Sequence, residues 1–225
     1  MLRHVSGLRW RPVGVVLAGG RGRRIGGDKA VVSLAGRPLL SYPVRAMLGA
    51  VDHVVVVAKP STALPALGDV AVWEEPEEPS HPLVGIAEAL RRAAGGWVLV
   101  CAGDMPFVPV SLLRSLAAQA GEASLGAQAA EAVLATQEGA AWLAAPGAPA
   151  VVAASADGAL QPLLGCYGPA CLARLAAAAH EAVAPAREVV EALGPLVVPV
   201  TDPQALFNVN SASDLREAEA LLASD

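Results

Sequence analysis

Residues 17–29 read Leu17-Ala18-Gly19-Gly20-Arg21-Gly22-Arg23-Arg24-Ile25-Gly26-Gly27-Asp28-Lys29, five glycines and four basic side chains in one stretch. Glycines let backbone N–H groups come close to phosphate oxygens, and cationic side chains neutralise charge that the amides alone cannot. The chain has only two lysines, Lys29 and Lys59, and a net charge of −5, so this basic cluster points to a local anionic ligand. A solvated basic loop is the plain alternative. Against it stands Val13-Gly14-Val15-Val16-Leu17, a short β-branched run that reads as a buried strand fixing where the loop begins.

Two familiar phosphate motifs are absent from the stretch. A dinucleotide fingerprint needs glycine where Ile25 follows Gly20-x-Gly22, and an acid about 20 residues further on to hold a ribose. No acid occurs from Lys29 to Val51. A P-loop needs Gly-Lys-Ser/Thr, whereas Lys29 follows Asp28 and Lys59 follows Ala58.

Two further groups could complete a site. Asp104, in Gly103-Asp104-Met105-Pro106, follows an apolar run. A carboxylate at the carboxyl end of a strand can hold Mg²⁺ through phosphate oxygens and water, and Pro106 stiffens the turn. Asp-x-Pro is also ordinary turn sequence. In Phe207-Asn208-Val209-Asn210 the alternate residues of an extended segment share a face, so both amides could address one ligand. They could equally bond locally ahead of a helix capped by Ser211 or Ser213.

Positioning these groups requires a particular set of elements. After the strand at 13–17 and its loop, a helix is expected over 38–50 despite Pro43, then a continuous apolar strand at 53–57 and a third at 70–73. The acidic, proline-rich 74–80 reads as a loop. An amphipathic helix opens on Pro82 and runs to 94, a fourth strand covers 97–101, and Ser111 is expected to cap a helix to about Ala120. Such alternation implies right-handed crossovers and a mainly parallel sheet with ligands beyond the carboxyl ends of its strands. The loops after Leu17 and after Cys101 then share one rim.

The second half is less regular. Alanine-rich 122–150, broken by Pro146 and Pro149, is read as an insertion without an assigned fold. Residues 151–167 read as a hairpin with Asp157-Gly158 as a primed turn. Helices over 169–180 and 186–193, a strand at 196–200 and a closing helix from about Ser213 complete the chain. The fold class is therefore α/β, a Rossmann-like three-layer α/β/α arrangement whose sheet is mainly parallel and partly mixed.

Composition narrows the function classes. The 225 residues suit one α/β domain, and the 54% hydrophobic content contains no run of about 18 strongly apolar residues. Neither a membrane nor, at this charge, nucleic acid is expected as a partner. Residues 1–11 lack a secretory pattern, so a cytoplasmic chain is expected. Cys101, Cys166 and Cys171 form no Cys-x-x-Cys pair and read as buried free thiols. His4, His53, His81 and His180 are scattered, with His81 read as a surface-loop residue.

Taken in order, Leu17-Ala-Gly-Gly, Arg24-Ile-Gly-Gly-Asp28-Lys29, Pro82-Leu-Val-Gly85-Ile, Asp104-Met-Pro106 and Asn208-Val-Asn210-Ser-x-x-Asp214-Leu215 resemble the molybdenum cofactor guanylyltransferase (MobA) family of the nucleotidyltransferase superfamily. The resemblance implies an N-terminal extension at 1–12 and a nucleotidyltransferase domain over 13–225, with the insertion around 122–150. It implies transfer of GMP from GTP to molybdopterin or the molybdenum cofactor, with Mg²⁺ and release of pyrophosphate. Transient contact with enzymes that make or receive the cofactor is also implied. By the same resemblance Leu17, Ala18, Gly19, Gly20 and Glu75 lie along the nucleotide, and Arg24 and Lys29 contact phosphates. Asp104 corresponds to the metal-binding aspartate, Asn210 assists it, and Asn208 and Asn210 border the acceptor. The chain departs from the family where Val57 and Lys59 stand at the end of the second strand, in place of an asparagine near the base and ribose. Transfer from CTP, another acceptor, and nucleotide binding without catalysis are the readings that remain beside it.

Overall fold

Valine-rich runs too short for helices form the centre of the sheet, where both faces are covered and no polar alternation is needed. In this computed structural model, which describes residues 10–20, 29–134, 147–181 and 184–224, they become β1 (Val13–Leu17), β4 (Val54–Ala58) and β6 (Val98–Ala102). With β5 (Ala71–Glu74), β7 (Ala150–Ala154), β8 (Leu160–Tyr167) and β9 (Leu196–Pro199) they make a seven-stranded sheet in the order β5-β4-β1-β6-β8-β7-β9. The pairs β5–β4, β4–β1, β1–β6 and β7–β9 are parallel, and β8 runs antiparallel to both of its neighbours. The sheet is thus mainly parallel and mixed at β8, as the sequence suggested.

Helices cover both faces. On one, α1 (Ser41–Ala50) and α3 (Val110–Leu134) bring Met47, Leu113 and Leu116 onto Val16, Val56, Leu99 and Cys101. On the other, α2 (Pro82–Arg92), α4 (Leu172–Glu181) and α5 (Ala186–Glu191) bring Leu83, Ile86, Leu175 and Val190 onto Val15, Val55, Val57 and Val100. The last helix, α6 (Ala212–Leu222), packs separately with Leu34, Leu39 and Val209 around Ala218, and Phe107 meets Phe207 edge to face at 5.9 Å.

Several sequence expectations change. The helix expected from residue 38 begins at Ser41, because Ala35 and Gly36 both take positive φ and fold 33–38 into the small ribbon β2 (Ser33–Leu34) and β3 (Arg37–Pro38). Ser111 is not a cap: α3 starts at Val110, with Pro109 O accepting from Leu112 N and Leu113 N, and it runs on to Leu134 rather than ending near Ala120. Residues 122–134 of the unassigned stretch are therefore helical, and Ala150 opens β7. The hairpin at β7–β8 stands, but its turn is not primed. Gly158 alone in the turn has a positive φ, with Gly158 N donating to Ser155 O and Ser155 N to Ala159 O, the pattern of an ordinary turn closed by a glycine bulge. Ser211, not Ser213, caps α6. Among the described residues no helix is long and apolar enough to cross a membrane. Burial holds the Cys101 and Cys166 thiols far above their ordinary range, so these buried free cysteines stay protonated and inert.

Candidate active site

The sheet register builds the site. Trp73, Val57, Leu17 and Ala102 pair across β5, β4, β1 and β6 in one row. Glu75, Lys59, Gly19 and Asp104 each stand two residues beyond that row. Adjacent strands lie about 4.8 Å apart, so three steps along the rim separate the backbones of Glu75 and Asp104 by roughly 14 Å. A cavity of about 220 Å³ occupies this rim, and Leu17 to Gly20, Lys29, Lys59, Glu75, His81 and Asp104 all border it.

On the β6 side, Gly103 N donates to Leu17 O at 2.9 Å and locks the two loops together. Lys29 Nζ donates to Asp104 Oδ2, and also to Asn210 Oδ1 at 2.7 Å. Asp104 Oδ1 is buried and has no hydrogen-bond partner among the described residues. An orphaned carboxylate oxygen is costly unless something else occupies it in the working state. Asn210 is held from behind. Val209 N donates to Asp104 O at 2.9 Å, while Asp214 Oδ2 accepts from Asn210 N at 2.8 Å and Ser211 N at 2.9 Å in the capping box of α6. The bond from Asn210 N, then that from Ser211, keeps the Asp214 carboxyl below the usual carboxylate range.

The β5 side is built differently. Lys59 is 6% exposed and Glu75 8%. Glu75 N donates to Ala58 O at 2.9 Å, which carries the strand pairing past the end of β5. The Glu75 carboxylate sits between two glycines: a Cβ at Gly19 would fall 1.9 Å from Oε1, and one at Gly85 on α2 would fall 2.7 Å from Oε2. Only glycine at both positions leaves room for it. Burial pushes the Glu75 carboxyl up to about 7, against the opposing pull of Lys59 and with further upward pushes from Glu77 and Glu88.

The sequence-predicted residues therefore sort clearly. The structure brings Leu17, Ala18, Gly19, Gly20, Lys29, Glu75 and Asp104 to one cavity and ties Asn210 to it through Lys29. Asn208 faces elsewhere: its amide donates to Leu206 O at 2.8 Å, and it borders an adjoining cavity of about 300 Å³ that shares Pro82 and Leu163 with the first. The two amides do not converge on one point. Arg24 lies outside the described residues. Val57 is fully buried in the core, whereas Lys59 reaches the cavity.

His81 corrects the sequence reading. It is the N-cap of α2, accepting from Leu83 N through Nδ1 at 3.3 Å, and its Nε2 lies 3.2 Å from Ala184 O. Nδ1 as acceptor leaves the proton on Nε2, which donates to that carbonyl. The signal was present, since a histidine directly before Pro82 occupies a cap position. Lys59 carried a comparable signal: a lysine just after five buried residues must take its charge to the strand ends.

Residues 14–196 match the model described as "MobA-like NTP transferase domain". A molybdenum cofactor guanylyltransferase of Cereibacter sphaeroides is 33% identical over 225 residues, 96% of this chain and 99% of the relative. That of Rhodobacter capsulatus is 38% identical over 114 residues, 49% of this chain and 60% of the relative. Among solved structures, molybdopterin-guanine dinucleotide biosynthesis protein A from Archaeoglobus fulgidus superposes with a TM-score of 0.71 at 23% identity, covering 94% of this chain and 99% of that one. The last shows a common fold.

Proposed function

The chain belongs to the MobA-like NTP transferase family, and we propose that it transfers GMP from GTP to molybdopterin or its molybdenum-loaded form, yielding a guanine dinucleotide and pyrophosphate. The observation that carries this reading is the meeting of Lys29 and Asp104 beside the glycine loop in one cavity.

In the reaction, an oxygen of the acceptor phosphate attacks the α-phosphorus in line, and the bond to the pyrophosphate oxygen breaks. Both reactants are anions, so the demand is for alignment and charge neutralisation rather than a covalent nucleophile. The acceptor phosphate is already ionised near neutral pH, and no side chain has to remove a proton from it. The open backbone at Gly20 admits the nucleotide tail, and Lys29, with Arg24 from the same loop, offsets its charge. Asn210, fixed by the α6 cap, keeps Lys29 directed at the cavity.

The donors also suit a hard cation. No group of three or more His, Cys, Asp or Glu gathers as a cage among the described residues. A single carboxylate with a free oxygen suits Mg²⁺, which keeps its waters and takes substrate phosphates. Asp104 Oδ1, unpartnered, and the Asn210 amide oxygen would hold it. Bound there, Mg²⁺ supplies charge neutralisation at the α-phosphate and stabilises the departing pyrophosphate.

The test is pyrophosphate release with molybdopterin, Mg²⁺ and GTP, CTP or ATP in competition. Preferential incorporation of GMP is expected. Preferential incorporation of CMP would replace the guanylyl reading with its cytidylyl relative, and no release from any nucleotide would leave binding without transfer.

A further inference from the structure

The two lysines of the chain both reach the rim, but the reaction as described uses only Lys29. Lys59 is the more deeply buried, and a buried ammonium persists only when its donors are satisfied. Its Nζ donates to Pro76 O at 2.9 Å and to Glu77 O. Both carbonyls belong to the turn directly after Glu75. The ammonium thus fastens this turn to the end of β4, while the Lys59 stem passes beneath the loop, its Cγ 3.5 Å from where a Gly19 Cβ would stand. The arrangement pins Glu75 from three directions: the β4 backbone through Ala58 O, α2 through Gly85, and the glycine loop through Gly19.

We propose that Lys59 is a positioning residue for nucleotide recognition, holding Glu75 at the cavity as a carboxylate that accepts N–H groups from the base. This rests on the guanylyltransferase reading for the identity of that base. Guanine presents two adjacent donors, N1–H and the 2-amino group, which two carboxylate oxygens can accept together. Cytosine and adenine present one donor beside an acceptor. The Glu75 backbone stands three strands from that of Asp104 along the rim, and its carboxylate reaches back from there to the glycine loop at Gly19, where it borders the same cavity. Burial alone would protonate Glu75, and Lys59 is the cation that opposes this, while Glu77 from the same turn and Glu88 from α2 work against it. From the elements packed nearby, His81 caps α2 and Arg92 donates to Glu74 O at 3.2 Å. Lys29 and Asp104 close the opposite side of the cavity.

The test is equilibrium binding of Mg²⁺–GTP from pH 6 to pH 9, with steady-state transfer, for wild type, Lys59→Met, Lys59→Arg, Glu75→Gln and the Lys59→Met/Glu75→Gln double variant. Wild-type binding should tighten as pH rises through about 7. Lys59→Met should move that midpoint upward by about one unit, weakening binding about fivefold at pH 7 and recovering it at pH 9. The loss should fall on KM rather than kcat, and Lys59→Arg should restore the midpoint. In the Glu75→Gln background, Lys59→Met should add less than about twofold. An unchanged midpoint in Lys59→Met, or a loss equal at every pH, overturns the proposal. If Lys59→Met alone does not fold, the double variant, which buries no net charge, and Glu75→Gln still decide it: persistence of the wild-type midpoint in Glu75→Gln also overturns it. Failure of the guanylyl reading looks different. Wild type would then prefer another nucleotide, and the same pH series on that nucleotide still tests Lys59.

Discussion

The rim carries two lysine–acid sets that share a sheet register yet have opposite electrostatics. At the β6 end, Lys29 bonds the carboxylate of Asp104 directly, both groups stay partly open to the cavity, and one carboxylate oxygen is left over. At the β5 end, Lys59 spends its donors on backbone carbonyls and leaves Glu75 buried between glycines with a raised pKa. The first arrangement is suited to receive new charge, phosphate on the lysine and metal on the acid. The second is suited to present a fixed shape. On the proposed reading the same two residue types serve phosphate chemistry at one end and recognition at the other, and what decides between them is whether the ammonium meets the carboxylate or the chain beside it.

Variants can break this division of labour. The largest effect is expected at Asp104→Asn, with kcat reduced roughly 10³-fold or more and Mg²⁺ no longer restoring turnover, as titration of the metal would reveal. A comparable fall in kcat at saturating nucleotide for Glu75→Gln would erase the contrast between the ends. Next comes Lys29→Ala, for which a kcat loss of about 10²-fold is expected. Because a partly exposed pair contributes little to folding, thermal unfolding should shift by no more than about 2–4 °C. Near-normal turnover would remove Lys29 from the chemistry.

Two smaller effects sharpen the base end. In Gly19→Ala the new methyl group meets Glu75 Oε1, so nucleotide binding should weaken roughly 10- to 100-fold with the Lys29–Asp104 pair intact, measurable as KM against kcat. The smallest effect is in stability. Glu75 has a folded-state pKa of about 7 against an ordinary 4.5, so the native chain retains a proton that the unfolded chain loses, and stability falls as pH rises through that window. Glu75→Gln should therefore melt several degrees above wild type at pH 8 and level with it below pH 4.5. A gap of the same size at acid pH would assign the gain to packing instead of charge.

Much of this was legible from residues alone because the controlling forces are local. Continuous valine runs announced β1, β4 and β6, and the rule that ligands gather beyond parallel strand ends then put Lys29 and Asp104 together. What escaped depended on partners distant in sequence. The role of Lys59 hinges on Pro76 and Glu77, and the fates of Asn208 and Asn210 diverge because only one meets Lys29. Residues 122–134 read as shapeless because alanine gives little periodicity, although alanine is itself the strongest helix former. The ribbon at 33–38 depends on a positive φ at Ala35, which that residue type does not advertise.

The bond from Lys29 to Asn210 joins positions 181 apart in sequence. A ribosome delivers the glycine loop early and α6 late, and a domain generally folds as a unit. Until 207–222 has left the ribosome, Lys29 lacks its amide partner. On the proposed reading, a truncated translation product that lacks 207–222 has little chance of consuming nucleotide.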